Sequence, residues 1–94
     1  MSAAHTYALV PHVFQRSFGD ERVLLDMKSG DYFALNETGA WMLDLLLAGT
    51  SAENVAEQAS KHFDVTSERA LADLQNLIAE MQNRQMFVVE QEVG

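Results

Sequence analysis

The reactive side chains of this chain are few, and their spacing is unhelpful to catalysis. Its 94 residues include three histidines, His5, His12 and His62, and no cysteine. A helical metal pair needs ligands at i, i+3 or i+4, and no two of these histidines stand that way. Without cysteine there is no thiol nucleophile, thiolate metal site or disulfide framework, and a reducing compartment is the natural setting. No glycine-rich phosphate loop is present. Asp26, Asp44 and Asp73 could in principle pair, but nothing in their spacing pairs them for acid–base chemistry. His5 and His12 fall in an irregular start and read as solvated. His62 lies beside Phe63 on an apolar stripe and reads as a packed structural residue. The expectation is a protein with no catalytic residue, no metal and no cofactor, hence not an enzyme.

Charge narrows the choice further. Fourteen acids against six bases give a net −8. Such a surface repels phosphates, so nucleic acid is not an expected partner. Apolar residues make up 48% of the chain, enough for a real core in one small domain. The start has no basic cluster before an apolar run, and the longest nearly apolar stretch, 40–48, is interrupted by Asp44. Neither a signal peptide nor a membrane span is expected, and a cytoplasmic location follows. We expect a single domain over 1–94 with an ordered core at 10–89.

The elements that must position any site fall into two groups. Residues 13–18 and 23–28 alternate at period two, with Phe14 and Phe18 on one face of the first and Val23, Leu25 and Met27 on one face of the second. Gly19-Asp20 and Ser29-Gly30 mark tight turns, and 32–35 is a short aromatic third strand. Three strands joined by two turns make an antiparallel meander. Then come three helices. Asn36 caps the first, which is apolar nearly all round and ends at Gly49; Ser51 caps the second; Thr66 or Ser67 caps the third. The second has an apolar stripe of Val55, Ala59, His62 and Phe63. Residues 86–89 form a short terminal strand with a charged tail. The fold class is α+β: a winged helix-turn-helix with an N-terminal three-stranded antiparallel sheet, three helices and a short C-terminal strand.

That fold often reads DNA, but its reading helix here is wrong for the purpose. From 64 to 84 the acids are Asp64, Glu68, Asp73 and Glu80, and the bases are Arg69 and Arg84 alone. A winged-helix DNA-binding regulator therefore stands only as the alternative of another class. Binding of a peptide suits the residues better. On a helical wheel Leu71, Leu74, Ile78 and Met81 share a face, with Ala70 at its edge. Leu77 lies just past it, on the flank that carries Asp73, Glu80 and Arg84. Such a leucine fits the wall of a polar-rimmed groove. The third strand, with no proline and only Asp31 as a nearby charge, reads as an unprotected edge. An edge offers N–H and C=O groups to an incoming strand, or to a second copy as a homodimer.

The run from Val23 to Gly39 resembles the signature of PqqD-like proteins: an apolar strand with an acid (Asp26), a Ser29-Gly30 turn, an aromatic strand, then Leu35-Asn36-Glu37-Thr38-Gly39 opening a helix. Gly49-Thr50-Ser51, Phe63-Asp64-Val65, Asp73-Leu74, Leu77-Ile78 and Met81 are also similar, so the resemblance covers 10–89. It implies a leader-peptide recognition element of ribosomally made, post-translationally modified peptide pathways. It further implies that the leader of the precursor adds beside the third strand and packs against the third helix. By position, Tyr32, Phe33, Ala34 and Leu35 would pair with the leader; Ala70, Asp73, Leu74 and Leu77 would form the groove wall; Arg69 and Arg84 would stand at its rim. Family members often carry Arg-Gly-Leu after the third helix, where this chain has Arg84-Gln85-Met86. The stand-alone length and the Val10-Pro11-His12-Val13 entry are similar to leader-binding proteins of lasso peptide clusters, which hand the precursor to a separate cysteine protease. The alternative is a pyrroloquinoline quinone-type pathway, with a radical SAM enzyme as partner.

Overall fold

A computed structural model describes residues 5–91 of the chain. In chain order the elements are β1 (His5–Leu9), β2 (Val13–Phe18), β3 (Glu21–Asp26), β4 (Tyr32–Leu35), α1 (Glu37–Leu47), α2 (Ala52–His62), α3 (Ser67–Asn83) and β5 (Phe87–Gln91). The expected first, second and third strands are β2, β3 and β4. They form one antiparallel sheet in the order β2-β3-β4. The expected α+β arrangement of a three-stranded sheet followed by three helices is what the chain adopts.

The start departs from expectation. His5–Leu9 is a strand, not irregular chain, and pairs antiparallel with β5 in a second, two-stranded sheet, Tyr7 opposite Val89 and Leu9 opposite Phe87. Its partner is some eighty residues away in sequence, so no turn marks it locally. The expectations of an irregular start at 1–4 and a charged tail at 92–94 lie outside the described residues.

The second expected strand ends two residues early because Asp26 folds the chain into a turn. Its Oδ1 accepts the backbone N–H groups of Lys28 (2.8 Å) and Ser29 (3.2 Å), and its carbonyl accepts from Gly30 (2.8 Å). Gly30 takes φ +79°, which a residue with a Cβ adopts only under strain. Met27 and Lys28 therefore lie in the turn and not in the strand. Burial pushes the Asp26 carboxyl up, but the two N–H donors, with His12 Nε2 at 3.6 Å, hold it below its ordinary 3.8. His12 is half-buried beside this carboxylate rather than freely solvated.

The helices begin where local chemistry places them. Asn36, Ser51 and Thr66 each accept a backbone N–H three residues on, from Gly39 (2.8 Å), Asn54 (3.3 Å) and Arg69 (3.1 Å). α1 buries Ala40, Met42, Leu43 and Leu46, and is the central helix. Asp44, on its exposed side, forms a two-pronged ion pair with Arg22 of β3, Nη2 to Oδ2 at 3.0 Å, tying the sheet to the helix. The pair holds the Arg22 guanidinium above its ordinary value. His62 is not packed inside as expected. It is exposed, with its ring stacked on Trp41 at 4.8 Å.

The core runs between the helices and one sheet face, contributed by Val13, Leu24 and Leu35. The period-two sets Phe14/Phe18 and Val23/Leu25 do share a face, but it is the outer one, and Met27 falls in the turn that follows. Register sets Phe14, Leu25 and Tyr32 in one row across all three strands. Phe14, Phe18, Met27 and Tyr32 are each about 60% exposed, an apolar face with no element of the described chain over it.

Candidate functional site

A concavity lies between β4 and α3. It is an open groove of about 760 Å³. Phe33, Ala34 and Leu35 form one side, and Arg69, Asp73, Asn76, Leu77 and Glu80 of α3 form the other. Thr38, Gly39 and Met42 of α1 make its floor, and Phe63, Asp64 and Val65 close the end by the α2–α3 loop. Gly39 leaves room for the cap: a Cβ there would sit 3.2 Å from Asn36 Oδ1, the atom that caps α1.

The hydrogen-bond phase of β4 fixes which backbone groups face out. Asp26 N–H donates to the Asp31 carbonyl at 2.8 Å, so that opposed pair is bonded, and bonded and non-bonded pairs alternate along an antiparallel ladder. With Leu24 opposite Phe33 and Arg22 opposite Leu35, those two β4 residues spend their backbone groups on β3. Tyr32 and Ala34 turn theirs to the free edge. Of the four residues assigned by resemblance, two thus offer backbone pairing, while Phe33 and Leu35 offer side chains to the groove. Tyr32 projects its own side chain outward and does not line the groove.

α3 is rotated from the sequence-based expectation. Its buried residues are Ala70, Leu74, Leu77 and Met81, while Leu71 and Ile78 are only half-buried. At about 100° per residue, these four cluster within about 60° of one another, and Leu71 and Ile78 fall to one flank. Ala70 (1% exposed) and Leu74 (0%) therefore lie beneath the groove and offer it no surface, because the face that meets α1 and α2 takes them. Leu77 retains 8% exposure and does line the groove. Asn36, Thr38, Met42, Phe63 and Val65 were not foreseen as lining residues. The Phe63-Asp64-Val65 loop was visible as a motif, but its nearness to β4 is a matter of tertiary packing.

Charges ring the groove in pairs. Arg69 Nε donates to Asp73 at 3.2 Å, and Arg84 Nε donates to Glu80 at 3.0 Å. Asp64 adds a further acid on the lining. Arg84 also lies over the Phe33 ring, Cζ 5.1 Å from the centroid. Among the described residues no cluster of three metal-ligating side chains occurs, and no helix is long and apolar enough to cross a membrane.

These features define a class: a small α+β domain with an open sheet edge beside a helix-walled groove. The chain belongs to the family described as coenzyme PQQ synthesis protein D (PqqD), whose model matches residues 21–86. Its fold is similar to that of a lasso peptide synthetase B1 complexed with the leader peptide, at TM-score 0.79 and 29% identity, covering 87% of this chain and 96% of that one. It is also similar in fold to TbiB1 in complex with the TbiA(beta) leader peptide, at TM-score 0.72 and 23% identity, covering 92% and 98%. No curated protein matches the chain.

Proposed function

We propose that this protein binds the leader segment of a ribosomally made precursor peptide and presents it to a separate processing enzyme, in lasso-type peptide biosynthesis. The observation that carries the reading is the free edge of β4 directly beside the groove. The Tyr32 and Ala34 backbone groups supply affinity through strand pairing, and the groove formed by Phe33, Leu35, Leu77 and the Phe63–Val65 loop receives alternate leader side chains. Asp73, Arg69 and Arg84 rim it, and Ala70 and Leu74 support it from below. Likeness to B1 proteins solved with their leader peptides favours the lasso pathway. The family's description keeps the pyrroloquinoline quinone pathway as the second reading.

No step of chemistry is assigned to this chain. It raises the local concentration of precursor at a cysteine protease, or at a radical SAM enzyme in the second reading. The bare outer sheet face, continuous with Tyr32, supports contact with such an enzyme. The cytoplasm suits both pathways. A short added strand with two or three apolar anchors reaches about micromolar affinity, roughly −8 kcal/mol.

The test is binding of a labelled synthetic peptide with the sequence of a lasso precursor leader. Ala34→Pro removes an outward N–H without touching the ladder to β3. It is expected to weaken binding more than about tenfold at unchanged melting temperature. If the variant misfolds, amide exchange in the native protein decides: leader should slow the Tyr32 and Ala34 amides together. Exchange unchanged at both, with peptide bound, means that the peptide does not add as a strand.

A further inference from the structure

Arg84 makes four contacts at one end of β4. Nε donates to Glu80 Oε1 at 3.0 Å, and Nη1 lies 3.5 Å from Asp31 Oδ2. The guanidinium covers the Phe33 ring at 5.1 Å. Nη1 also donates to the backbone carbonyl of Tyr32 at 3.3 Å. That last oxygen is not incidental. The ladder phase leaves β4 two outward carbonyls, those of Tyr32 and Ala34, and Arg84 already holds one of them.

We propose that Arg84 is the guard of the open edge, a residue that sets which strands β4 accepts. This deepens the leader-binding reading and rests on it. An incoming strand that pairs with Tyr32 must either share its carbonyl with the guanidinium or displace it. Displacement separates Nη1 from Tyr32 and Asp31, while the Nε bond to Glu80 can survive as a hinge. A strand with few groove anchors gains too little to offset that loss. A second copy of this chain is such a strand, because the inward side chains of its β4, Phe33 and Leu35, are engaged in its own groove. A leader that fills the groove gains enough. Sheet edges in other proteins are shielded by a lysine or a bulge on the strand itself. Here the shield comes from the C-cap residue of α3, so it can move without disturbing the strand.

Arg84→Met tests this, since methionine keeps an apolar stem over Phe33 but cannot cap a carbonyl or pair with Glu80. Two measurements are made on both proteins: sedimentation of the protein alone, and association kinetics of the labelled leader peptide. The variant is expected to self-associate at a concentration where the native protein is monomeric. It should also bind the leader about fivefold faster at low salt. The ratio of the two rates should fall toward one as salt rises, because salt already loosens the native ion pairs. Weaker leader binding by the variant overturns the proposal and makes Arg84 an anchor for the leader. So do unchanged sedimentation and unchanged rates. Self-association of the variant when neither protein binds the peptide leaves the guard standing and removes the leader reading.

Discussion

At the scale of single residues, Gln85 carries the clearest stored strain. It takes φ +57°, in the left-handed region, at the turn where the resembling family often has glycine. The turn itself is required: Met86 N–H donates to the Met81 carbonyl at 2.9 Å, and Met86 is fully buried. Gln85→Gly should therefore stabilise the protein by about 1 kcal/mol, seen as a melting temperature about 5 °C higher. Asp26 makes the second residue-scale prediction. Its folded carboxyl lies below 3.8, so the fold favours the ionised form. That contribution is complete above 3.8 and is lost as pH falls through the folded value. Asp26→Asn should leave a urea midpoint that falls less steeply than the native one between about pH 4 and pH 2. Sequence spacing showed a turn after Asp26 but not that its carboxylate closes it, because a side-chain acceptor is assigned only once the backbone is placed.

At the scale of elements, what was legible was local. The three caps, the hairpin glycines and the start of each helix depend on neighbours within four residues, and each stands where the sequence indicated, with Thr66 rather than Ser67 capping α3; Phe63, expected on the second helix's stripe, falls in extended backbone just past its end. The rotation of α3 was not legible. Its apolar residues span more than one face, and only packing on α1 and α2 chooses Ala70 and Leu77 over Leu71 and Ile78. The same choice moves two expected wall residues under the groove and leaves Leu77 as the apolar contact from α3. Leu77, at 8% exposure, both packs in the core and lines the groove proposed to take the leader. Leu77→Ala should cost about 2 kcal/mol of stability from the cavity it leaves, and weaken leader binding about tenfold. Chemical denaturation and peptide titration measure the two separately. A stability loss with undiminished affinity would take Leu77 out of the site.

At the scale of the whole molecule, the proposed function implies that the two sheets divide stability from binding. Every lining residue of the groove comes from β4, the α1 cap Asn36, α1, the α2–α3 loop or α3, and among the described residues none comes from β1 or β5. β1 instead covers the end of the core. Tyr7 packs on Phe87 with ring centroids 5.1 Å apart, Val10 N–H donates to the Met86 carbonyl at 3.0 Å, and Met86 and Phe87 are buried beneath. Removing residues 1–9 would bare Phe87 and unpair β5, at a cost of about 2–4 kcal/mol. A domain of this size has roughly 5–15 kcal/mol to lose, so the shortened chain should stay folded in the cold. Its melting temperature should drop by about 10–20 °C. Leader affinity, measured well below that transition, should stay within about twofold of the native value, because backbone edge, floor and wall are intact. A folded shortened chain that no longer binds the leader would mean that β1 holds α1, and through Thr38 and Met42 the groove floor, in place. The division between the sheets would then be false.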